Sequence, residues 1–173
     1  MTPGRIDAGH AGALRISRAE RAVFTGPSAL ATNPGHRADL DVYLADMVRP
    51  YGVSLRTDIL EAERGYSYGE MAEDLLRVAV RPDQPVDVVV LAFAIPDVRP
   101  GRATAVYLSH VCPGNPLAFA LCDQGNAAAF AGLRLVRDYA RTGTHGRGVL
   151  IVAEQSTVHY EPTRPVALPN VIR

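Results

Sequence analysis

Lysine is missing from this 173-residue chain, in which all 18 basic residues are arginine. Chemistry that begins at a lysine amine, Schiff bases and pyridoxal phosphate included, is thereby excluded. An excess of either charge is missing too, because 18 acidic residues bring the net charge to zero. Nothing electrostatic then recruits nucleic acid or an anionic membrane surface, and neither is expected as a partner. Long apolar runs are absent: the longest, "VVVLAFAIP", falls far short of a bilayer span. The opening residues carry no secretory pattern. Cysteine is limited to Cys112 and Cys122; these make no disulfide framework, and a reduced, cytoplasmic setting is expected. The usual signatures of a bound group are also lacking. There is no Gly-x-Ser-x-Gly, phosphate loop or dinucleotide fingerprint, and the histidines have no ligand-spaced neighbours. No metal and no cofactor is expected.

What remains is an ordinary globular composition, 47% apolar and 21% charged, in a length that suits one domain. Residues 1–18 are rich in Gly, Ala and Arg without periodicity and are expected to form a flexible arm. Residues 161–173 hold three prolines and cannot be a central strand. Residues 19–160 carry the fold. "RAVFTGPSAL" predicts a first strand ending at Gly26-Pro27. "ADLDVYLADMV" predicts a helix with Leu40, Tyr43, Leu44 and Met47 on one face, stopped by Pro50. "YGVSLRTDILEAERGY" reads as loop with room for a short strand.

From Ser67 the signals sharpen. "SYGE" is a capping box, and the helix behind it sets Met71, Leu75 and Val78 at helical spacing up to Pro82. "VDVVVLAFA" is a strand covered on both faces. A helix through "RATAVYLSHV" breaks at Pro113-Gly114, "LAFAL" is a strand, and "NAAAFAGLRLVRDYARTG" is a helix with Gly143 at its end. "GVLIVAE" is another strand. This alternation predicts an α/β fold: a three-layer, mainly parallel (mixed) sheet with helices on both faces. Function in such sheets sits at the C-terminal strand ends. Those ends are Phe93-Ala94-Ile95, Cys122-Asp123-Gln124-Gly125 and Glu154-Gln155-Ser156.

The run "PVDVVVLAFAIPDVRPGRATAVYLSHVCPGNPLAFALCDQGNAAAFAGLRLVRDYARTG", followed by "RGVLIVAE", resembles the N-terminal half of the thiolase-like family. Type III β-ketoacyl-acyl-carrier-protein synthases are the nearest type, and the likeness covers roughly Ser67 to Ser156. The resemblance implies a strand that delivers a cysteine nucleophile to the N-terminus of a long buried helix. It further implies that this strand, here "LAFAL", pairs with its counterpart across a two-fold axis. Counted from either side, the nucleophile's place falls on Gly125 or Asn126, and neither can carry an acyl group on sulfur. The resemblance also implies an activating histidine and an asparagine or second histidine from a C-terminal half, which is not expected in this chain. A complete condensation centre is not expected.

Several residues invite a role at this elbow. Cys122 precedes the tip by three residues; it is either a reactive thiol near a helix terminus or a structural one packed at the strand's end. Gln124 matches a branch of condensing enzymes that decarboxylates with glutamine, but Asp123 and Gln124 also suit a plain helix cap. The amides opening that helix form an oxyanion-type site whatever precedes them. His110, at helical spacing from Val106 and Tyr107, is placed on or beside a buried face. His159, after the last strand, is placed in a pocket or dimer loop or on an ordinary surface loop. His36 and His145 fall in glycine-rich loops without partners.

Three functions compete. The first is a half-length, ketosynthase-like subunit acting in polyketide or fatty-acid-type acyl assembly, as a homodimer or with a ketosynthase-like chain, on acyl carrier protein or acyl-CoA. The second is a small acyl-transfer or thioester-hydrolysing enzyme using Cys122 with His110 or His159. The third is a non-catalytic pseudoenzyme that serves as an interaction subunit.

Overall fold

A computed structural model of the chain describes residues 14–26, 33–58, 65–99 and 102–162. Its elements in chain order are α1 (Pro34–Val48), α2 (Tyr68–Ala79), β1 (Val88–Ala92), α3 (Thr104–Val111), β2 (Leu117–Leu121), α4 (Ala128–Arg141) and β3 (Gly148–Val152). The five apolar residues of β1 are at most 1% exposed, which makes this strand the axis of the fold. Such an unbroken run needs cover on both faces, which the helices provide, and the sheet order β2-β1-β3 pairs both of its edges. Both neighbours run parallel to β1, with Val88 opposite Leu117 and Gly148, and Ala92 opposite Leu121 and Val152. Parallel neighbours demand crossovers, and α3 and α4 supply them.

The two faces of β1 divide the core. Val89 and Leu91 pack with Tyr68, Ala72 and Leu76 of α2 and with Leu108 and Cys112 at α3. Val88 and Val90 pack with Val136 of α4, and Phe119, Tyr139 and Leu150 close that side. The result is three layers: a helix pair, a parallel sheet, and a single helix. The α/β class and the succession from Ser67 onward are as the sequence predicts.

Local chemistry fixes the joints. The Ser67 hydroxyl accepts from the Glu70 amide, and the Glu70 carboxylate accepts from the Ser67 amide, so the capping box is complete. Gly114 turns the chain into β2 at φ +101°, where a Cβ would sit 2.6 Å from the Val86 carbonyl oxygen. Only glycine fits there. Gly132 lets α4 lie close on the sheet, for a Cβ there would come within 2.5 Å of Leu150 Cδ1. At the N-terminal end of β1, Asp87 accepts from the amides of Gly146 and Arg147, both at 2.8 Å, and ties the approach to β3.

Other expectations need correction. Arg21–Gly26 forms no strand, since the segment finds no pairing partner among the described residues and leaves Val23 75% exposed. Helix α1 buries Leu44 and Val48, whereas Tyr43 and Met47 face outward. The apolar residues of α1 surround its axis, so spacing alone cannot choose the covered side. Helix α2 buries Tyr68, Ala72 and Leu76 and leaves Val78 exposed, because the aromatic ring at its first turn anchors the face. Helix α1 begins at Pro34, so His36 lies on a helix and not in a loop. Residues 1–13 of the expected arm, residues 59–64, and the proline-rich residues 163–173 lie outside the described residues. No helix among the described residues is long and apolar enough to cross a membrane.

Candidate functional site

Strand β2 runs into the elbow as the sequence predicts, with Asp123 and Gly125 both in left-handed conformation at φ +60° and +50°. A short 3-10 turn, Gly125–Ala127, then precedes α4. The side chains depart from expectation. Cys122 is exposed and not packed into the sheet. Its thiol donates to the Asp123 carboxylate at 3.4 Å. That bond, with partial desolvation and the carboxylate charge, pushes the thiol pKa up and away from a reactive thiolate. Gln124 and Ala127 occupy the cap positions of the turn and the helix without a side-chain cap, so the cap expected of Gln124 is not formed. Gln124, Gly125 and Asn126 are all exposed.

The histidines do not join this elbow. His110 is exposed, on the same outward side of α3 as Val106 and Tyr107, because Ala105 and Leu108 take the buried face. Its Nδ1 donates back to the Val106 carbonyl at 2.8 Å. His145 is partnered after all, with Nδ1 2.7 Å from the Thr144 hydroxyl and its ring edge-on to Tyr139. His159 is buried, with Nε2 3.1 Å from the Val98 carbonyl oxygen. Cys122, His110 and His159 share no hydrogen bond with one another.

Buried polar groups gather elsewhere, at the C-terminal ends of β1 and β3. The Glu154 carboxylate accepts from the amides of Ala94 at 2.9 Å and Ile95 at 3.2 Å, which locks the two strand ends together. Gln155 Nε2 donates to the Pro96 carbonyl, and the Tyr68 hydroxyl donates to that of Ile95 at 2.6 Å. Asp97 accepts from the Tyr68 and Arg99 amides, each at 3.2 Å, and from Thr104 at 3.4 Å. Burial pushes the Asp97 carboxyl up against these bonds, which pull it down. Arg99 is 4% exposed, and its Nε and Nη1 have no hydrogen-bond partner among the described residues. Burial lowers its pKa, with the nearby Arg102 acting in the same sense.

Against this end lies a cavity of about 420 Å³. Helix α1 and its following turn form one wall, the 96–98 segment a second, and residues 157–161 the third. The third wall is pinned by a bridge between Leu55 and Tyr160, with the Arg56 amide donating to the His159 carbonyl at 2.7 Å. The strand-end rule points to this region through Phe93–Ile95 and Glu154–Ser156. Asp97 and Arg99 carry no local pattern that would mark them. Among the described residues no group of three His, Cys, Asp or Glu is placed to hold a metal. Comparison with protein-family models, with curated proteins and with solved structures finds no match for the chain.

Proposed function

We propose that the chain is a half-length, ketosynthase-like subunit of the thiolase-like type that acts in acyl assembly together with a second chain. One observation carries this reading: β2, the strand leading into the elbow, stands at the edge of the sheet and pairs with β1 alone among the described residues. The resemblance assigns that strand to pairing across a two-fold axis, and the edge position leaves its outer side available for it. The raised thiol of Cys122, and the absence of a histidine bonded to it among the described residues, support a subunit that does not carry the acyl group itself. The acyl group is then borne by coenzyme A or an acyl carrier protein and attacked elsewhere in the assembly.

The experiment is intact-mass analysis after incubation with acyl-coenzyme A and acyl-carrier-protein thioesters. No adduct is expected. A stable adduct that disappears in Cys122→Ser would overturn the reading in favour of an independent acyl-transfer enzyme.

A further inference from the structure

The cavity between α1, the 96–98 segment and residues 157–161 is an apolar groove, walled by Leu44, Val48, Val98 and Val158. Met47 and Tyr51 line it too, yet stand 36% and 79% exposed. Contiguous apolar surface left open in this way marks a place where something binds. The charged side chains that line the groove, among the described residues, are Asp97 and Glu161, both acidic. The Glu161 side chain is 71% exposed and reaches Arg56 only at 4.0 Å, a guanidinium already held at 2.6 Å by Asp58. The groove therefore suits an apolar occupant that brings arginine with it.

We propose that this occupant is the chain's own tail, residues 163–173, with Val166 and Leu168 seated in the groove. The tail starts at the rim. Tyr160 bridges Leu55, and the Glu161 amide donates to the Ser54 carbonyl at 2.9 Å, which holds the chain against one wall as far as Pro162. Pro162 has no amide to continue that pairing. The prolines at 162, 165 and 169 fix their own φ and favour an extended backbone at Glu161, Arg164 and Leu168 before them. Much of the ordering cost is thus met before any contact forms. Segments of this kind dock in apolar grooves with aromatic walls, and Tyr51 and Tyr160 supply the aromatic rings here. At about 3.1 Å per residue, Leu168 reaches about 22 Å from Glu161, enough to run along the groove. Charge agrees: residues 163–173 hold Arg164 and Arg173 and no acidic residue. Tethering adds the rest, because a short link holds the tail at a millimolar effective concentration. Contacts too weak for a free peptide then suffice. The inference is independent of any role for β2 or the elbow.

The test is methyl NMR on the full chain. Nuclear Overhauser contacts are expected from the Val166 and Leu168 methyls to those of Val98 and Val158. The double variant Val166→Asp, Leu168→Asp should lose these contacts, shift the Val98 and Val158 methyl signals and bind more of a hydrophobic dye. A synthetic peptide of residues 163–173 should then restore the original signals in the variant, saturably. The unaltered chain should bind the same peptide at least about tenfold more weakly, because its own tail competes. Should the double variant fail to fold, the Overhauser contacts in the unaltered chain decide alone. Their absence overturns the proposal, as does equal affinity of the peptide for both proteins. Contacts seen only between differently labelled copies in a mixed sample also overturn it, by showing that the groove takes the tail of a second copy.

Discussion

A thiol beside a carboxylate is harder to ionise than one beside a helix terminus, and the elbow sets these influences against each other at Cys122. The carboxylate wins because Asp123 is bonded to the sulfur, whereas α4 begins only at Ala128, past a 3-10 turn, and a helix dipole fades within a turn. Replacing Asp123 by Asn should lower the thiol pKa and raise the rate of iodoacetamide alkylation at pH 7.5. Identical rate–pH profiles for the two proteins would show that the bond to Asp123 is not what restrains the sulfur. His159 makes a second prediction at this scale. Its folded-state pKa is lowered from 6.5, so its contribution to stability is fully present above pH 6.5 and is lost as pH falls through the folded value. Urea midpoints should therefore drop between pH 7 and pH 5, at a slope of at most about 1.4 kcal/mol per pH unit. His159→Gln should flatten that drop. The raised pKa of Asp97 has the opposite sign and a lower window: its contribution is present below the ordinary carboxylate range and lost as pH rises through the folded value.

At the scale of elements, α4 shows how closely a helix can be specified by single small residues. Ala128, Gly132 and Val136 form its buried face, while Phe130 and Leu133 stand 72% and 38% exposed on the other side. Ala128 has no exposure at all, yet Ala127 is fully outside the core. Ala128→Leu should thus cost on the order of 1–3 kcal/mol by overpacking, and Ala127→Leu close to nothing. Equal melting temperatures for the two variants would mean that α4 does not lie on the sheet as described. The order of these elements was legible in the sequence because each carried a strong local signal: an apolar run for β1, a capping box for α2, Pro113-Gly114 between α3 and β2. Which face each helix buries was less legible. In α2 the apolar set Met71, Leu75 and Val78 has correct spacing, but Tyr68 fills the space over β1 and rotates the burial toward Ala72 and Leu76. The groove was beyond local reading. Its walls at residues 44–53 and 157–161 lie more than a hundred positions apart, and nothing in either neighbourhood marks them as a pair.

For the molecule as a whole, the sheet's edges decide whether the chain is complete alone. Among the described residues the parallel sheet has only three strands, and both outer ones are partly exposed: Leu117 of β2 is 47% exposed and Val152 of β3 is 39%. Unpaired strand edges template association unless they are blocked. Strand β2 has no charged residue, proline or bulge to block it. Phe119 is no clean point of attack, because its ring packs on Tyr139 at 5.7 Å against the core. Phe119→Lys would damage the fold as much as any interface. Backbone geometry offers a cleaner probe. The Leu117 amide donates inward to the Asp87 carbonyl, so by strand alternation the amides of Ala118 and Ala120 point away from β1. Ala120 is exposed, and Ala120→Pro removes one outward donor while sparing the inward ladder. We expect the unaltered chain to be a dimer, or to require a ketosynthase-like partner, in light scattering. Ala120→Pro should shift it toward monomer with its melting temperature lowered only slightly, and Ala120→Lys should do the same through charge on the edge. If the unaltered protein is a stable, well-behaved monomer at high concentration with no partner present, the β2 edge is not an interface and the two-chain reading fails with it.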